Sequence, residues 1–381
     1  MPCGFGRRLK LIDAAEQQRF DTGVGGMVAP ASAVRLSKDV QQAEQHDREG
    51  QHSAAIDSLV AGVHKQDVEA ITRLGLRLLV GDRAPQLQRE AIGFLVEASA
   101  LGGAQAAAQL AVCLAAGVTV APDIGAALRS LVLSAERGWL PAQEQLQVLG
   151  RDAGATCVPD GDASVWQYLS QQLPLEQWLA APPAVELCTD PVVRSYAQFA
   201  GPAVCRWITQ RARPRLSPAL VYDADIRQTT THATRTNSWA VFDLLQTDLP
   251  CLLLQHRIAS SVGQPLRHFE ALSVLHYDVG EQISEHFDFI DPNIPNYRQQ
   301  LLERGQRVAT FLVYLNEDYD GGVTQFPRLD ITHQGRAGSA LQFINALPDG
   351  MPDVRTLHAG RAPTHGEKWI VSQFIKNQPA F

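Results

Sequence analysis

A step of 36 residues governs the first half of this chain. Ala70, Leu74, Gly81, Ala91, Leu95 and Gly102 recur 36 positions later as Ala106, Leu110, Gly117, Ala127, Leu131 and Gly138. Ala142 and Leu146 open a further copy, and Ala55, Ile56 and Leu59 close an earlier one. From about residue 40 to residue 150 the chain is rich in Ala, Leu and Gln at helical spacing. Each unit reads as helix, glycine-containing loop, helix, glycine turn. A single pair of this kind cannot bury its apolar face alone, so the units must stack into a helical solenoid.

The second half follows a different period. Leu272-Ser273-Val274-Leu275-His276-Tyr277 is rich in strand formers and precedes a turn at Gly280. Beyond the turn comes His286-Phe287-Asp288. Residues two apart on an extended chain share a face, so His286 and Asp288 converge while Phe287 turns away into a core. A third ligand must come from another strand. His333 and His365 sit in sequences that read as turns, whereas His358 ends an apolar segment beside small residues. His358 is therefore taken as the third ligand. Two imidazoles and one carboxylate suit an iron(II) ion with coordination positions left open. Lys368, ten residues after His358, is suited to pairing an acidic cosubstrate through a charge-assisted hydrogen bond. The set points to oxidation rather than hydrolysis.

Residues from about 185 to 378 resemble the prolyl 4-hydroxylase type of 2-oxoglutarate- and iron(II)-dependent dioxygenase. The likeness rests on Leu275-His276-Tyr277-Asp278-Val279-Gly280, His286-Phe287-Asp288-Phe289, Gly305-Gln306-Arg307-Val308-Ala309-Thr310 and Tyr314-Leu315-Asn316. It continues through Gly321-Gly322-Val323-Thr324-Gln325-Phe326-Pro327, Leu357-His358-Ala359-Gly360 and Gly366-Glu367-Lys368-Trp369. Arg235-Thr236-Asn237-Ser238 and Arg257-Ile258-Ala259 extend it upstream. The resemblance implies a double-stranded β-helix (jelly roll) with buttressing helices. It implies that His286, Asp288 and His358 hold Fe(II), that Lys368 pairs with the distal carboxylate of 2-oxoglutarate, and that Tyr277 and Thr310 lie near that cosubstrate. It further implies O2 as oxidant, L-ascorbate as reductant, and hydroxylation of an unactivated C–H bond with release of succinate and CO2. A prolyl residue in a protein or peptide is the first substrate expectation; a free amino acid or another small molecule is the alternative.

The repeats resemble Sel1-like repeats, of tetratricopeptide type, and Ser134-Ala135-Glu136-Arg137-Gly138 fits the turn of that family. That resemblance implies a protein-binding surface, one that recruits the substrate. The expected organisation is multidomain, α and β. Residues 1–36 form a loose tail, 37–150 the repeats, 151–184 a linker, and 185–378 the dioxygenase domain with a core over 266–378. One short helix is expected near Trp166 to Leu179 and another from Val192 to Arg213. The polar segment from Asp291 to Arg304 reads equally as a substrate lid or an inert loop. Asn316 to Asp320 reads as a solvated hairpin tip, and Arg361 lies near the site with no assigned role.

Composition narrows the function classes. A net charge of −7 without a run of basic residues argues against a dedicated nucleic-acid or membrane surface. No stretch of about 18 apolar residues is present, so no transmembrane helix is expected. Met1 to Phe20 carries basic residues without an apolar run after them, so no signal peptide is expected. The six cysteines are scattered and none forms a CxxC, which fits a reduced, cytoplasmic protein without a zinc knuckle or a disulfide framework. Two rival classes stand against the oxygenase. One is a repeat-based scaffold whose jelly roll is a relic; the other is a zinc or manganese jelly roll of different chemistry. A relic has no reason to keep three ligands and Lys368, and the zinc or manganese class has no need of a lysine for a dicarboxylate.

Overall fold

The computed structural model describes residues 36–155, 164–219, 221–223, 228–230, 234–347 and 349–379. Residues 1–35 of the expected tail lie outside the described residues.

Seven helices form the repeat region: α1 (Lys38–Arg48), α2 (His52–Val63), α3 (Val68–Val80), α4 (Gln88–Ala100), α5 (Ala104–Ala116), α6 (Ile124–Glu136) and α7 (Leu140–Asp152). The repeat positions explain their packing. Ala70, Ala91, Ala106, Ala127 and Ala142 are wholly buried, and Leu74, Leu95, Leu131 and Leu146 lie among them. Alanine at these points lets helix backbones approach closely, while leucine fills the seam. Gly81 and Gly117 end α3 and α5 at φ of 77° and 75°, a left-handed cap that frees the chain to reverse.

Two short helices follow, α8 (Ser164–Gln171) and α9 (Leu175–Leu179), where one was expected. Pro174 lacks an N–H and disfavours helix in the residue before it, so the segment breaks there. The segment expected to be helical over Val192 to Arg213 begins as a strand and turns helical only in its second half. β1 (Val185–Thr189) and β2 (Val192–Tyr196) form a hairpin, and helix α10 (Pro202–Ala212) starts only at Pro202. The β-branched pair at the start of β2 finds a partner strand in the main sheet, and this tertiary pairing decides its conformation.

The remaining elements are β3 (Ser217–Pro218), β4 (Val221–Asp223), β5 (Gln228–Thr230), β6 (Ser238–Phe242), α11 (Leu249–Val262), β7 (Leu272–Tyr277), β8 (Ile283–His286), α12 (Tyr297–Arg304) and β9 (Arg307–Tyr314). Then come β10 (Asp320–Gly321), β11 (Thr324–Phe326), β12 (Ile331–His333), β13 (Ala340–Ile344), β14 (His358–Gly360), β15 (Pro363–His365) and β16 (Lys368–Lys376). An eight-stranded antiparallel sheet runs β1-β2-β13-β9-β16-β7-β6-β3, and a four-stranded sheet runs β12-β11-β14-β8. Together they form the jelly roll. Its core includes Leu275, Tyr277, Leu312, Tyr314, Phe326 and Phe343. The β16 sequence is an almost continuous buried run because both faces of this central strand are covered.

Helices α10 and α11 join the repeats to the jelly roll through specific polar contacts. The Asp152 carboxylate at the end of α7 accepts hydrogen bonds from the Ala203 and Val204 amides at 2.8 and 2.9 Å, capping α10. A Cβ on Gly201 would overlap that carboxylate, so only glycine permits a cap supplied by another helix. Gln109 of α5 donates to the Leu244 carbonyl at 2.7 Å, and His256 of α11 donates to the Ala115 carbonyl at the same distance. Asp152→Ala should lower stability by about 0.5–2 kcal/mol, the usual worth of an N-cap. Thermal unfolding of the full chain checks this, and an unchanged midpoint contradicts it.

Candidate metal and cosubstrate site

β8 pairs antiparallel with β14 so that His286 faces His358 directly across the ladder. Their ring centroids lie 4.3 Å apart. Asp288 follows two residues later, where the chain has left the strand, and its carboxylate turns back between the two imidazoles. His286 Nε2 is 3.4 Å from Asp288 Oδ1, and His358 Nε2 is 3.5 Å from Asp288 Oδ2. One donor atom from each of the three lies within 4.8 Å of the others.

The other ring nitrogens are engaged. His286 Nδ1 lies 2.8 Å from the Ser284 carbonyl and His358 Nδ1 lies 3.0 Å from the Thr356 carbonyl. A carbonyl oxygen can only accept, so each Nδ1 carries the proton and each Nε2 keeps its lone pair free for a metal. Thr310 on β9 donates to Asp288 Oδ2 at 2.7 Å, and Asn345 donates to Thr310 Oγ1 at 2.8 Å. This chain orients the carboxylate. Asn345 did not figure in the sequence reading; its signal is an amide directly after the mostly apolar strand β13.

Electrostatics favours a charged Asp288 and a neutral His358. Burial opposes the charged form of Asp288, but His358, His286 and Thr310 outweigh it and hold the carboxyl well below its ordinary range. Burial lowers His358 to about 4, so its imidazole is neutral, the form that binds metals. A site of two free imidazole lone pairs and one anion fits Fe(II), and these three residues would hold it.

Lys368 sits opposite Tyr277 on the neighbouring strand β7 and is 0% exposed. Its Nζ donates to the Gly322 carbonyl at 2.7 Å and lies 5.1 and 5.6 Å from the centres of the Tyr277 and Tyr314 rings. Among the described residues no carboxylate pairs with it. Gly321 and Gly322, at φ of 68° and 62°, bring that carbonyl to the ammonium. Desolvation lowers the lysine to about 7. A single cavity of about 670 Å³ is lined by His286, Asp288, His358, Thr324, Tyr277 and Lys368. It offers a metal-binding trio together with one buried cation lacking an anion, which fits a dicarboxylate held at both ends.

Other expectations need correction. Phe287 does not enter the core: it is half-buried, stacks on Phe289 at 4.6 Å and lines the cavity. The chain leaves β8 at His286, so strict alternation no longer applies to the next residue. His333 and His365 lie in strands rather than turns, each paired with a partner strand. The polar segment after the HxD contains helix α12, whose Tyr297 and Gln300 wall the cavity. Tyr319, expected at a solvated tip, is buried. Arg361 is engaged by Glu285 at 3.3 Å and Gln325 at 2.8 Å. A second grouping, His276, Asp278 and Glu367, has its Glu367 bound to Arg213 at 2.5 Å and reads as an ion-pair network.

Residues 272–376 match the family described as the 2OG-Fe(II) oxygenase superfamily. This segment is a 2OG-Fe(II) oxygenase domain. The family uses Fe(II), 2-oxoglutarate and O2. The sequence is 29% identical over 200 residues to probable prolyl 4-hydroxylase 9 of Arabidopsis thaliana, covering 48% of this chain and 68% of that protein. A viral collagen prolyl hydroxylase from Paramecium Bursaria Chlorella virus-1 is similar at 22% identity and a TM-score of 0.38, over 48% of this chain and 95% of that one. A Sel1 repeat protein from Oxalobacter formigenes is similar at 19% identity and a TM-score of 0.28, over 37% of this chain and 61% of that one. The oxygenase half is thus a 2-oxoglutarate-dependent dioxygenase, prolyl 4-hydroxylase-like in sequence.

The lowered pKa of Lys368 carries a stability consequence. Between about 7 and the unfolded lysine value of 10.5, the unfolded chain holds a proton that the fold lacks. Stability of the ligand-free protein therefore rises with pH across that window. Lys368→Met should abolish this rise and leave the ligand-free fold at least as stable at pH 7, because it removes a buried, unpaired cation. It should also weaken 2-oxoglutarate binding at least a hundredfold. Urea unfolding from pH 7 to 9.5 checks the first point, and an identical slope in the variant would contradict it.

Proposed function

We propose that this chain hydroxylates a prolyl residue in a protein or peptide, with 2-oxoglutarate converted to succinate and CO2. The observation that carries this reading is one cavity that joins His286, Asp288 and His358 to the buried cation Lys368. In this reading His286, Asp288 and His358 are the ligands of Fe(II). Lys368 pairs with the distal carboxylate of 2-oxoglutarate, and Tyr277 and Thr310 act beside it: Tyr277 as part of the pocket wall, Thr310 by orienting Asp288. When bound, iron and 2-oxoglutarate supply the oxidising power that side chains lack. L-Ascorbate is the reductant that keeps the metal in its working state.

The residues of the chain bind, orient and exclude water. The backbone carbonyls of Ser284 and Thr356 keep both imidazoles in one tautomer. Phe326 and Phe343 pack against His358 at ring distances of 5.4 and 4.7 Å, which limits its rotation. The wall formed by Phe287, Phe289, Ile290 and Trp239 is apolar and aromatic, suited to a pyrrolidine ring. Residues 37–150 serve as the Sel1-like recruiting domain, 151–184 as linker and 185–378 as the catalytic domain. Cys113, Cys205 and Cys251 are buried free thiols, in keeping with a reducing, cytoplasmic setting.

Anaerobic calorimetry of the metal-free protein with iron(II) should show tight binding that strengthens 2-oxoglutarate binding in turn. His358→Ala should lose both. Thr310→Val should keep the fold and weaken metal binding about 10- to 100-fold, as loss of an outer-shell partner does. Metal binding that leaves 2-oxoglutarate affinity unchanged would defeat the proposal. Succinate release matched to hydroxyproline in a supplied peptide tests the substrate.

A further inference from the structure

A second cavity, of about 420 Å³, lies between the repeats and the oxygenase. Gln86 and Gln88 beside α4 and Ala116 of α5 form one wall; Phe242, Thr247 and Glu270 belong to the other. Gln300 of α12 lines this cleft and the metal-site cavity alike, so the two spaces adjoin across one helix.

The chemistry of the cleft is specific. Gln86 and Gln255 already donate to the Leu79 carbonyl and to Gln373, whereas the side-chain amides of Gln88 and Gln300 can each donate and accept, the pattern that peptide groups require. Thr247 Oγ1 is buried and has no hydrogen-bond partner. An unmet buried hydroxyl is costly, so this atom calls for a ligand in the cleft. The charges that line the cleft balance in sign. Lys376 pairs with Glu270 at 3.4 Å, and Glu270 also holds Arg307 at 2.8 Å. Asp243 and Arg304 add one charge of each sign. Two acids, Asp243 and Glu270, thus stand against two bases, Arg304 and Lys376, so the lining as a whole favours neither an anionic nor a cationic occupant. Phe242, Leu252 and Phe269 add apolar surface between the polar groups.

We propose that this cleft holds an extended, uncharged segment of the polypeptide substrate, next to the residue that enters the metal-site cavity. The inference rests on the reading of that cavity as a peptide hydroxylase site and sharpens it: the substrate is a polypeptide with residues on both sides of α12, not a free amino acid. The repeats contribute by forming one wall of the cleft rather than by a remote surface.

The test uses the full chain loaded with Mn(II) and 2-oxoglutarate, under argon so that no turnover occurs. Fluorescein-labelled peptides of five and twenty residues, built only from Pro, Ala and Gly, are titrated by anisotropy. The longer peptide should bind at least tenfold more tightly. Thr247→Trp and Gln88→Trp, which fill the cleft from opposite walls, should each remove that advantage. Calorimetry of Mn(II) and 2-oxoglutarate on the same preparations reports on fold and metal site separately. If those bind normally while the two peptides bind equally, or neither binds, or the advantage survives both variants, the cleft proposal is overturned. If Mn(II) and 2-oxoglutarate themselves fail to bind wild type, the reading of the metal site falls first.

Discussion

The pairing of β8 with β14 is the constraint on which the site depends. It sets His286 opposite His358, and Asp288 reaches both rings only because the strand ends there. The strand period is two residues, so a one-residue slip would send either imidazole to the opposite face. The register is held from both sides. β11 pairs with β14 on one flank, and Arg235 bridges to Ile283 on the other. The opposing sheet supplies what this one cannot. Thr310 on β9 and Lys368 on β16 come from the eight-stranded sheet. The site therefore exists only when the two sheets stack face to face.

The site also concentrates unfavourable electrostatics that the surrounding core must offset. Asp288 is a buried anion and Lys368 a buried cation, yet they do not pair with each other. Each is costly to bury. Asp288 is repaid by Thr310 and by the two imidazoles. Among the described residues, Lys368 has only a carbonyl and two ring faces. Such an arrangement persists where close-packed side chains leave no room to relax, and Tyr277, Tyr314, Phe326, Phe343 and Ile370 provide that packing. The unmatched cation is the property a dicarboxylate cosubstrate would use.

The repeats and the oxygenase are joined through α7, α10 and α11. Asp152 caps one helix, Gln145 accepts from the Leu249 amide at 3.1 Å, and Gln109 and His256 reach backbone carbonyls across the junction. Buried directional bonds of this kind define one orientation better than apolar contact does. The cleft beside α12 is a consequence, because its two walls belong to the two regions.

By itself the sequence determined the local periods and the residue types. Alanine and leucine at a step of 36 specify stacked helix pairs, because those positions recur on the faces that meet a neighbour. The strand formers from Leu272 to Tyr277 specify strand, and the apolar flanks of Lys368 put it in a buried strand. Tertiary structure decided everything that depends on a partner. Val192 to Tyr196 has a pattern compatible with helix, but an open edge at β13 draws it into the sheet. Phe287 follows the HxD alternation only until β8 ends, and then turns toward the cavity. His333 and His365 sit among turn-forming residues, yet each finds a strand to pair with. The physical reason is common to these cases. A periodic sequence specifies which face of an element is buried, whereas the identity of the element that covers it comes from long-range pairing that no local window contains.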